Sequence, residues 1–239
     1  MSPGAVNGAG VRRAAMIAFE HVSKWFDSLK VLNDLSFRIS SGEILGVVGP
    51  SGAGKTTILK LITGIIAPDE GAVQVAEGAV GYVFQEPRLL PWRTALDNVA
   101  VPLRARGMDK AEARAKAAQW LDRVGLAGFE HYHPAELSGG MAQRVSVARA
   151  LAVEPAILLM DEPFSNMDAT LKASLMATVQ QILKERKTTA VYVTHDLTEA
   201  LQLADRIVEM TPEKTLRELD LSDRAAVARD WLAKFHILA

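Results

Sequence analysis

A glycine-rich segment, "GPSGAGKT" at residues 49–56, restricts the fold of this 239-residue chain more than any other feature. It matches the pattern G-x-x-x-x-G-K-[ST] and lies between the apolar run "EILGVV" (43–48) and a stretch, 55–65, in which a helix is expected. Glycines let a backbone wrap closely around a phosphate, and the N-terminus of a following helix directs unpaired N–H groups at the anion. The pattern therefore predicts a phosphate-binding loop between a buried strand and a helix, rather than an ordinary glycine turn.

Two side chains of this segment supply the charge and metal chemistry that a bound nucleotide needs. The Lys55 ammonium is expected to reach the β- and γ-phosphates, and the Thr56 hydroxyl is suited to Mg²⁺, which is the predicted cofactor. The predicted ATP contacts of this phosphate loop are Gly49, Pro50, Ser51, Gly52, Ala53, Gly54, Lys55, Thr56 and Thr57.

A pair of acids ends a second apolar run, "AILLMDE" at 156–162. Alone, this run would equally well describe a buried strand that emerges into solvent. With a phosphate loop upstream the acids gain roles, because Asp161 would hold Mg²⁺ through its water shell and Glu162 would polarise an attacking water.

A second helix N-terminus suited to phosphate begins at "LSGGMAQR" (137–144), since "MAQRVSVARALAV" continues without a helix breaker. Its first residues are Ser138, Gly139 and Gly140. One nucleotide does not need two such platforms in one subunit. Two copies of the chain arranged head to tail would resolve this, because each copy would cover the ATP of the other.

With these motifs in this order, residues 17–210 resemble the nucleotide-binding subunit of an ATP-binding cassette (ABC) transporter. The resemblance implies three further site residues. Phe26 corresponds to the aromatic residue that stacks on adenine, and Gln85 to the glutamine that contacts Mg²⁺ and water and links the core to a helical subdomain. His195, in "VYVTHD", corresponds to the switch histidine near the γ-phosphate; without this position it would be read as a solvated side chain.

The resemblance is incomplete at two places. "SNMD" (165–168) stands where the family usually has SALD, so only Asp168 carries over as a nucleotide contact, and Ala142 replaces a longer polar residue. Neither departure removes a phosphate or metal ligand. The predicted catalytic residues are Gln85, Glu162 and His195, and the predicted Mg²⁺ ligands are Thr56, Gln85 and Asp161.

The fold class implied is α/β, a P-loop NTPase core with a mixed, mainly parallel central sheet. The runs 16–22 and 35–40 predict strands of an N-terminal antiparallel β subdomain, and 86–140 predicts an inserted α-helical subdomain. Residues 1–15 are expected to be a flexible segment, 16–210 the ATPase domain and 211–239 a short helical tail. Ser222 is expected to cap the tail helix, and the usual glycine hairpin is missing before it. The predicted apolar face of that helix is Val227, Trp231 and Phe235.

Composition narrows the class of protein further. The formal net charge of -1 gives no basic field for nucleic acid, and "HYH" (131–133) is read as polar surface rather than a metal site. No apolar run approaches the roughly 18 residues that cross a bilayer. The chain has no cysteine, which fits a reducing cytoplasm. Arg12 and Arg13 suggest an export signal only weakly, because Glu20 ends the apolar stretch that follows.

The loop "QEPRLLPW" (85–92) is unusually apolar for a surface segment. In the family that the chain resembles, this region receives a short helix of an integral membrane permease subunit. Leu89, Leu90 and Trp92 are therefore expected to form a docking surface, and the alternative is that they belong to the helical subdomain's own core.

These features predict the ATPase subunit of an importer, peripheral on the cytoplasmic face of the inner membrane. Its partners would be a second copy of itself, permease subunits and, indirectly, a periplasmic or lipid-anchored solute-binding protein. The loop followed by "TALDNV" is similar to the nitrate, sulfonate and taurine branch. The alternatives are a pyrimidine-precursor or other small-solute importer, an exporter ATPase, a soluble non-transport ABC ATPase and a small-molecule P-loop kinase.

Overall fold

The computed structural model describes residues 14–165 and 167–236. Most of the expected flexible segment, Asn166 of "SNMD" and the side chain of Phe235 therefore lie outside the described residues. The strands are β1 (Ala15–Phe26), β2 (Leu29–Ser40), β3 (Ile44–Val48), β4 (Glu70–Val75), β5 (Val80–Val83), β6 (Ile157–Asp161), β7 (Thr189–Thr194), β8 (Arg206–Met210) and β9 (Leu216–Glu218). The helices are α1 (Lys55–Ile62), α2 (Ala95–Ala105), α3 (Lys110–Arg123), α4 (Gly139–Ala152), α5 (Ala169–Arg186), α6 (Leu197–Leu203) and α7 (Arg224–His236), with 3-10 turns at Pro134–Glu136 and Leu221–Asp223.

The central sheet has the strand order β5-β6-β7-β3-β8-β9, and all neighbours are parallel except β9, which pairs antiparallel with β8. Every residue of β3 and β7 is buried, as expected for parallel strands that are covered on both faces. Alternate side chains of β6 enter different cores, with Leu158 on the side of the helical subdomain and Leu159 on the side of α1 and the N-terminal strands. The predicted mixed, mainly parallel sheet is confirmed.

The N-terminal sheet is antiparallel with the order β2-β1-β4, as the sequence predicted. Its strands are longer than the apolar runs predicted. Register shifts allow β1 to continue to Phe26 although it pairs with β2 on one side and β4 on the other. Opposite one of these shifts lies Gly71, whose φ is +77°.

The inserted helices α2 and α3 pack against α4 and form the predicted helical subdomain. Thr94 and Asp109 cap α2 and α3 by accepting backbone N–H groups with their side chains. Trp120 is buried in this core, and the guanidinium groups of Arg123 and Arg186 lie 4.9 and 5.3 Å from its ring centroid. The apolar side chains that α3 and its C-cap bury in this core are Ala113, Ala117, Trp120, Leu121 and Val124.

Helix α1 ends at Ile62, three residues before the predicted end, and Gly64 follows with a left-handed φ of +70°. A hairpin joins β8 to β9 although no glycine is present. Lys214 supplies the left-handed residue at φ +65°, and the Thr211 and Thr215 hydroxyls bond to each other at 2.8 Å. The sequence missed β9 because it used glycine as the hairpin signal.

The expected N-cap of the tail helix is wrong. Asp220 accepts from the Ser222 backbone N–H at 2.9 Å, so Ser222 lies inside a 3-10 turn rather than at a cap. Asp223 then accepts from the Ala226 N–H at 2.9 Å at the start of α7. The carboxylates of Asp220 and Asp223 therefore accept these backbone N–H groups in place of the Ser222 hydroxyl, because a carboxylate is the stronger acceptor. In the described part of the chain, no helix is both long and apolar enough to cross a bilayer.

Replacing Gly71 with alanine tests the close contact between β1 and β4. An added Cβ would lie 2.3 Å from the carbonyl oxygens of both Glu20 and His21. Gly71→Ala is therefore expected to destabilise the fold by more than the 1–3 kcal/mol that a left-handed φ alone costs. Gly64→Ala is the matched control, because its φ is +70° and its Cβ would meet nothing within 4 Å. Urea unfolding measures both variants, and equal losses would contradict this account of the strand contact.

Candidate active site

The phosphate loop lies between β3 and α1, as the pattern predicted. Gly54 is the N-cap residue of α1 and has φ +110°. A Cβ at this position would lie 2.9 Å from Val31 Cγ1 and 3.0 Å from its carbonyl oxygen, so both the backbone angle and the space require glycine. The loop consequently presents backbone N–H groups, rather than side chains, at the start of the helix.

Lys55 is the cation at the centre of this loop. Its side chain is only 5% exposed, and Nζ donates to the carbonyl oxygens of Gly49 at 2.8 Å and Pro50 at 3.0 Å. Nζ also lies 3.4 Å from Glu162 Oε1. Burial lowers the pKa of Lys55, and the neighbouring Glu162 carboxylate opposes that shift. The ammonium is thus held by weak neutral acceptors and one carboxylate, and can transfer to phosphate oxygens.

Asp161 lies at the end of β6, directly opposite the start of α1. Its Oδ1 accepts from Thr56 Oγ1 at 3.0 Å, and its Oδ2 accepts from the Tyr82 hydroxyl at 3.4 Å. Burial raises the pKa of Asp161, and the Glu162 carboxylate adds to this shift. Burial also raises the pKa of Tyr82, so the phenol remains a proton donor. The sequence missed Tyr82, because only the parallel pairing of β5 with β6 places it here.

Glu162 and His195 form a pair beside the lysine. Glu162 Oε2 lies 2.9 Å from His195 Nδ1, and the imidazole is more than half exposed while the carboxylate is mostly buried. The Glu162 backbone has a left-handed φ of +44° and donates its N–H to the Val193 carbonyl at 2.9 Å. This backbone angle turns the side chain away from the strand direction and toward Lys55.

Gln85, Thr56 and Asp161 line one open cavity of about 470 Å³. An amide oxygen, a hydroxyl and a carboxylate are hard oxygen donors of the kind that Mg²⁺ prefers. Burial raises the pKa of Asp161, so its ionised form is disfavoured in this arrangement and a bound cation would favour it. The residues present therefore fit a Mg²⁺ ion.

The other predicted nucleotide contacts lie elsewhere on the molecule. Phe26 is exposed at the end of β1, with Lys24 Nζ 5.7 Å from its ring centroid. Ser138 caps α4 by accepting from the Met141 N–H, and Asp168 caps α5 by accepting from the Leu171 N–H. Among the described residues, no hydrogen bond of these two caps reaches the phosphate loop.

The docking loop, residues 85–92, is held by side chains that the sequence did not single out. Arg149 donates to the carbonyl oxygens of Arg88 at 2.9 Å and Pro87 at 2.7 Å. Asn98 accepts from the Leu90 N–H at 2.7 Å and donates to the Leu90 carbonyl at 3.2 Å. The loop is thereby fixed by α4 on one side and α2 on the other.

The apolar side chains of this loop divide between core and surface. Trp92 is 69% exposed, so the alternative that it is buried in the helical subdomain is wrong. Leu89 is partly buried against the main core, and Leu90 is half-buried. Tryptophan is enriched where one chain contacts another, so the exposed Trp92 on this held loop is available for such a contact.

The structure combines three features: a phosphate loop between β3 and α1, a pair of acids at the end of β6, and an inserted helical subdomain. Together they define a nucleotide-binding cassette. Residues 32–165 match the family described as ABC transporter, and the chain belongs to this family. Two dimeric structures of the cassette MJ0796, one bound to ADP and Pi, are 32% identical to this chain. They have TM-scores of 0.78 and 0.79, and the alignments cover 86% of this chain and 99% of theirs.

The similar curated proteins are import ATP-binding proteins. The Fe(3+) ions import ATP-binding protein FbpC of Agrobacterium fabrum is 46% identical over 204 residues, which cover 81% of this chain and 58% of that protein. FbpC of Rhizobium etli is 40% identical over 93% of this chain and 67% of its own length. The sulfate/thiosulfate import protein CysA 1 of A. fabrum is 42% identical over 81% of this chain and 60% of its own. The chain thus spans about 60% of the length of such relatives.

Neutralising Asp161 is expected to stabilise the nucleotide-free protein. Because the folded state raises the pKa of Asp161, ionisation costs folding free energy once the pH rises above the unfolded carboxyl value. Asp161→Asn keeps an acceptor for Thr56 and removes this cost. We expect a melting temperature higher by a few degrees at pH 7, since about 1 kcal/mol corresponds to roughly 2–4 °C at this size.

Thermal melting without nucleotide over a pH series measures this effect. The gain should shrink as the pH is lowered toward the ordinary carboxyl pKa of about 3.9. Asp205→Asn is the matched control, because that carboxylate accepts from the Ile44 N–H at 2.9 Å at the opposite end of the sheet. A lower melting temperature for Asp161→Asn at pH 7 would contradict the assignment of a buried, uncompensated charge.

Proposed function

We propose that this chain is the ATP-hydrolysing subunit of an ABC importer. The observation that carries the proposal is the position of Glu162, whose carboxylate lies between the Lys55 ammonium and the His195 ring. It follows Asp161 directly, and Asp161 accepts a hydrogen bond from the phosphate-loop residue Thr56. A site built only to bind nucleotide needs no buried carboxylate at this point, whereas a site that hydrolyses it needs a base.

The phosphate loop and its lysine bind and orient the triphosphate. Backbone N–H groups at the start of α1 contact the phosphates, and the Lys55 ammonium moves from the Gly49 and Pro50 carbonyls to the terminal phosphate oxygens. Thr56, Asp161 and Gln85 would hold Mg²⁺. When bound, this ion neutralises charge on the β- and γ-phosphate oxygens.

Glu162 accepts the proton of the attacking water. The water oxygen bonds to the γ-phosphorus, the bond from that phosphorus to the β–γ bridging oxygen breaks, and ADP leaves with the electron pair. The water proton goes to a Glu162 carboxylate oxygen. His195 Nδ1, 2.9 Å from Oε2, fixes the orientation of that carboxylate and places the imidazole near the γ-phosphate.

Two copies complete each ATP site. The exposed N-terminus of α4, with Ser138, Gly139 and Gly140, and the Asp168 cap of α5 contact the nucleotide held by the second copy. Phe26 stacks on the adenine within its own copy. The proposal is supported by the absence, in the described residues, of hydrogen bonds from these caps to their own phosphate loop, and by the dimeric state of the similar cassette MJ0796.

Closure of this dimer drives partner membrane subunits that dock on residues 85–92. The subunit is then peripheral on the cytoplasmic face of the inner membrane, and a periplasmic or lipid-anchored solute-binding protein supplies the solute. The exposed Trp92 and the firm hold of Arg149 and Asn98 on the loop support this docking surface.

The solute proposed is a small oxyanion or sulfonate, in the class of nitrate, sulfonates and taurine. The apolar loop 85–92 supports that class, and the 42% identity to a sulfate/thiosulfate import protein supports a small oxyanion. The FbpC relatives make Fe(3+) the competing solute. To distinguish these solutes, the chain is reconstituted with a permease encoded by a neighbouring gene, and uptake of labelled taurine, sulfate, nitrate and Fe(3+) is measured. Uptake of Fe(3+) alone would overturn the proposed class of solute.

Replacing the proposed base tests hydrolysis directly. Glu162→Gln is expected to bind ATP as the unmodified chain does, to lose at least about 100-fold in phosphate release, and to accumulate as a dimer on ATP, because an amide cannot accept the water proton. Phosphate release and size-exclusion chromatography with ATP measure these effects. Lys55→Ala is the contrasting variant and should lose ATP affinity itself. Hydrolysis by Glu162→Gln at the unmodified rate would remove Glu162 from this role.

Replacing the exposed tryptophan tests the docking surface. Trp92→Asp should leave melting temperature and ATP binding unchanged but weaken assembly with the permease by about 2–4 kcal/mol, the size of an interface hot spot. Leu29→Asp is the control, since Leu29 is 64% exposed on the N-terminal sheet and should not affect assembly. Pull-down with the permease measures the loss. Equal assembly of both variants would show that the loop is not the docking surface.

A further inference from the structure

A nearly buried carboxylate outside the catalytic cluster joins three segments of the site. Glu199, in the first turn of α6, is 6% exposed. Its Oε1 accepts from Lys172 Nζ at 2.6 Å, and its Oε2 accepts from Thr194 Oγ1 at 3.0 Å and from the Tyr192 hydroxyl. One carboxylate therefore connects β7, α5 and α6.

The first connection reaches the switch histidine. Thr194 immediately precedes His195, and its Oγ1 both donates to Glu199 and accepts from the Asp196 N–H at 3.0 Å. His195 is thus flanked by two residues that one hydroxyl holds together. The His195 side chain itself is more than half exposed. Its direction therefore depends on the backbone of residues 194–196, which the Thr194 hydroxyl fixes.

The second connection reaches the segment behind the catalytic glutamate. The ring of Tyr192 packs against Phe164 with a centroid distance of 5.9 Å and an interplanar angle of 53°. Both rings are fully buried, and Phe164 lies two residues after Glu162. Glu199 fixes the hydroxyl end of Tyr192 and thereby the depth at which that ring supports Phe164.

The third connection reaches the cap that faces the second copy. Lys172 lies in the first turn of α5, and its backbone N–H donates to the Asp168 carbonyl at 2.9 Å. The Lys172–Glu199 ion pair ties this turn to the His195 segment. An apolar residue at 199 would fill the same space, but it would not fix the distances between the three segments.

We propose that Glu199 is a positioning residue that sets the geometry of His195 against Glu162 and couples it to the Asp168 cap. The effect expected on kcat rests on the proposed hydrolytic function, whereas the effect expected on the position of the His195 ring does not. Loss of the charge should leave nucleotide binding intact, because no hydrogen bond among the described residues joins the side chain of Glu199, Lys172 or Tyr192 to the phosphate loop. It should slow the chemical step, because misplacement of a catalytic group by about 1 Å can cost on the order of 100-fold.

The test compares Glu199→Gln with Lys172→Met in the full chain. Glu199→Gln keeps the shape and one acceptor and removes the charge, and Lys172→Met removes the cation. Both should lower kcat for ATP by about 10-fold or more while KM for ATP and the monomer's affinity for ATP change less than about 2-fold. The double variant should be no slower than Glu199→Gln alone, because both changes break one ion pair.

Glu43→Gln is the matched control. The Glu43 side chain is 15% exposed, accepts from Arg206 Nε at 2.7 Å and lies just before β3, at the opposite end of the sheet from the site. It should lower the melting temperature to a similar extent without lowering kcat. Unchanged kcat in Glu199→Gln, or an equal kcat loss in Glu43→Gln, would overturn the proposal.

A second measurement does not depend on hydrolysis. The chain has five histidines, so the His195 ring resonances can be assigned by NMR with His195→Ala. They should shift in Glu199→Gln and in Lys172→Met but not in Glu43→Gln, in each case without nucleotide. Unmoved His195 resonances would overturn the positioning role even if ATP hydrolysis itself were absent, whereas absent hydrolysis in the unmodified chain would overturn the proposed function alone.

Discussion

The register of three parallel strands determines where the site lies. Val48 at the end of β3 pairs with Thr194 at the end of β7, and Val193 of β7 pairs with Asp161 at the end of β6. These pairings place the phosphate loop, the paired acids and His195 at one edge of the sheet, although the phosphate loop lies more than a hundred residues from the acids and the histidine along the chain. A slip of one residue in either pairing would turn the catalytic side chains to the opposite face.

At that edge the fold accepts an unfavourable arrangement of charge. Burial lowers the pKa of Lys55 and raises the pKa of Asp161, so both groups are less stable when ionised than they would be in water. The left-handed backbone of Glu162 adds strain beside them. A bound triphosphate with its metal ion would supply an anion to the lysine and a cation to the aspartate. Affinity for nucleotide therefore draws on free energy that the nucleotide-free fold leaves unsatisfied.

Much of this architecture could be predicted from the sequence, because its signals are local. The continuously apolar runs, the glycine pattern and the acids after β6 each identify an element together with its role. Tyr82, Asn98, Arg149 and Glu199 could not be found in this way, because their roles depend on partners that lie 79, 8, 62 and 27 residues distant. Even Asn98, a near neighbour of Leu90, matters only because the loop folds back over the start of α2.

Local sequence signals also failed where two residue types can fill the same structural role. At the tail, Ser222 resembled a helix cap, but Asp220 and Asp223 took the exposed N–H groups. At the β8–β9 turn, Lys214 adopted the left-handed angle that glycine usually supplies. At the tail the predicted helix is present and only its boundary moved, because several residue types share capping chemistry. At the turn the strand β9 was missed altogether.

Helix α4 connects the docking loop to the proposed contact with the second copy. It begins at Gly139, and Arg149 holds the carbonyls of Pro87 and Arg88 from a point ten residues further on, or about 15 Å along the axis at 1.5 Å per residue. Gln143 adds a bond from the same helix to the Phe84 carbonyl at 3.0 Å. A displacement of residues 85–92 by a partner must therefore move the N-terminus of α4 or break the bonds to the partly buried Arg149 guanidinium. Breaking them would leave a partly desolvated charge without its carbonyl acceptors, which disfavours a movement of the loop alone. The proposed docking surface and the proposed second-copy contact are in this way two ends of one element.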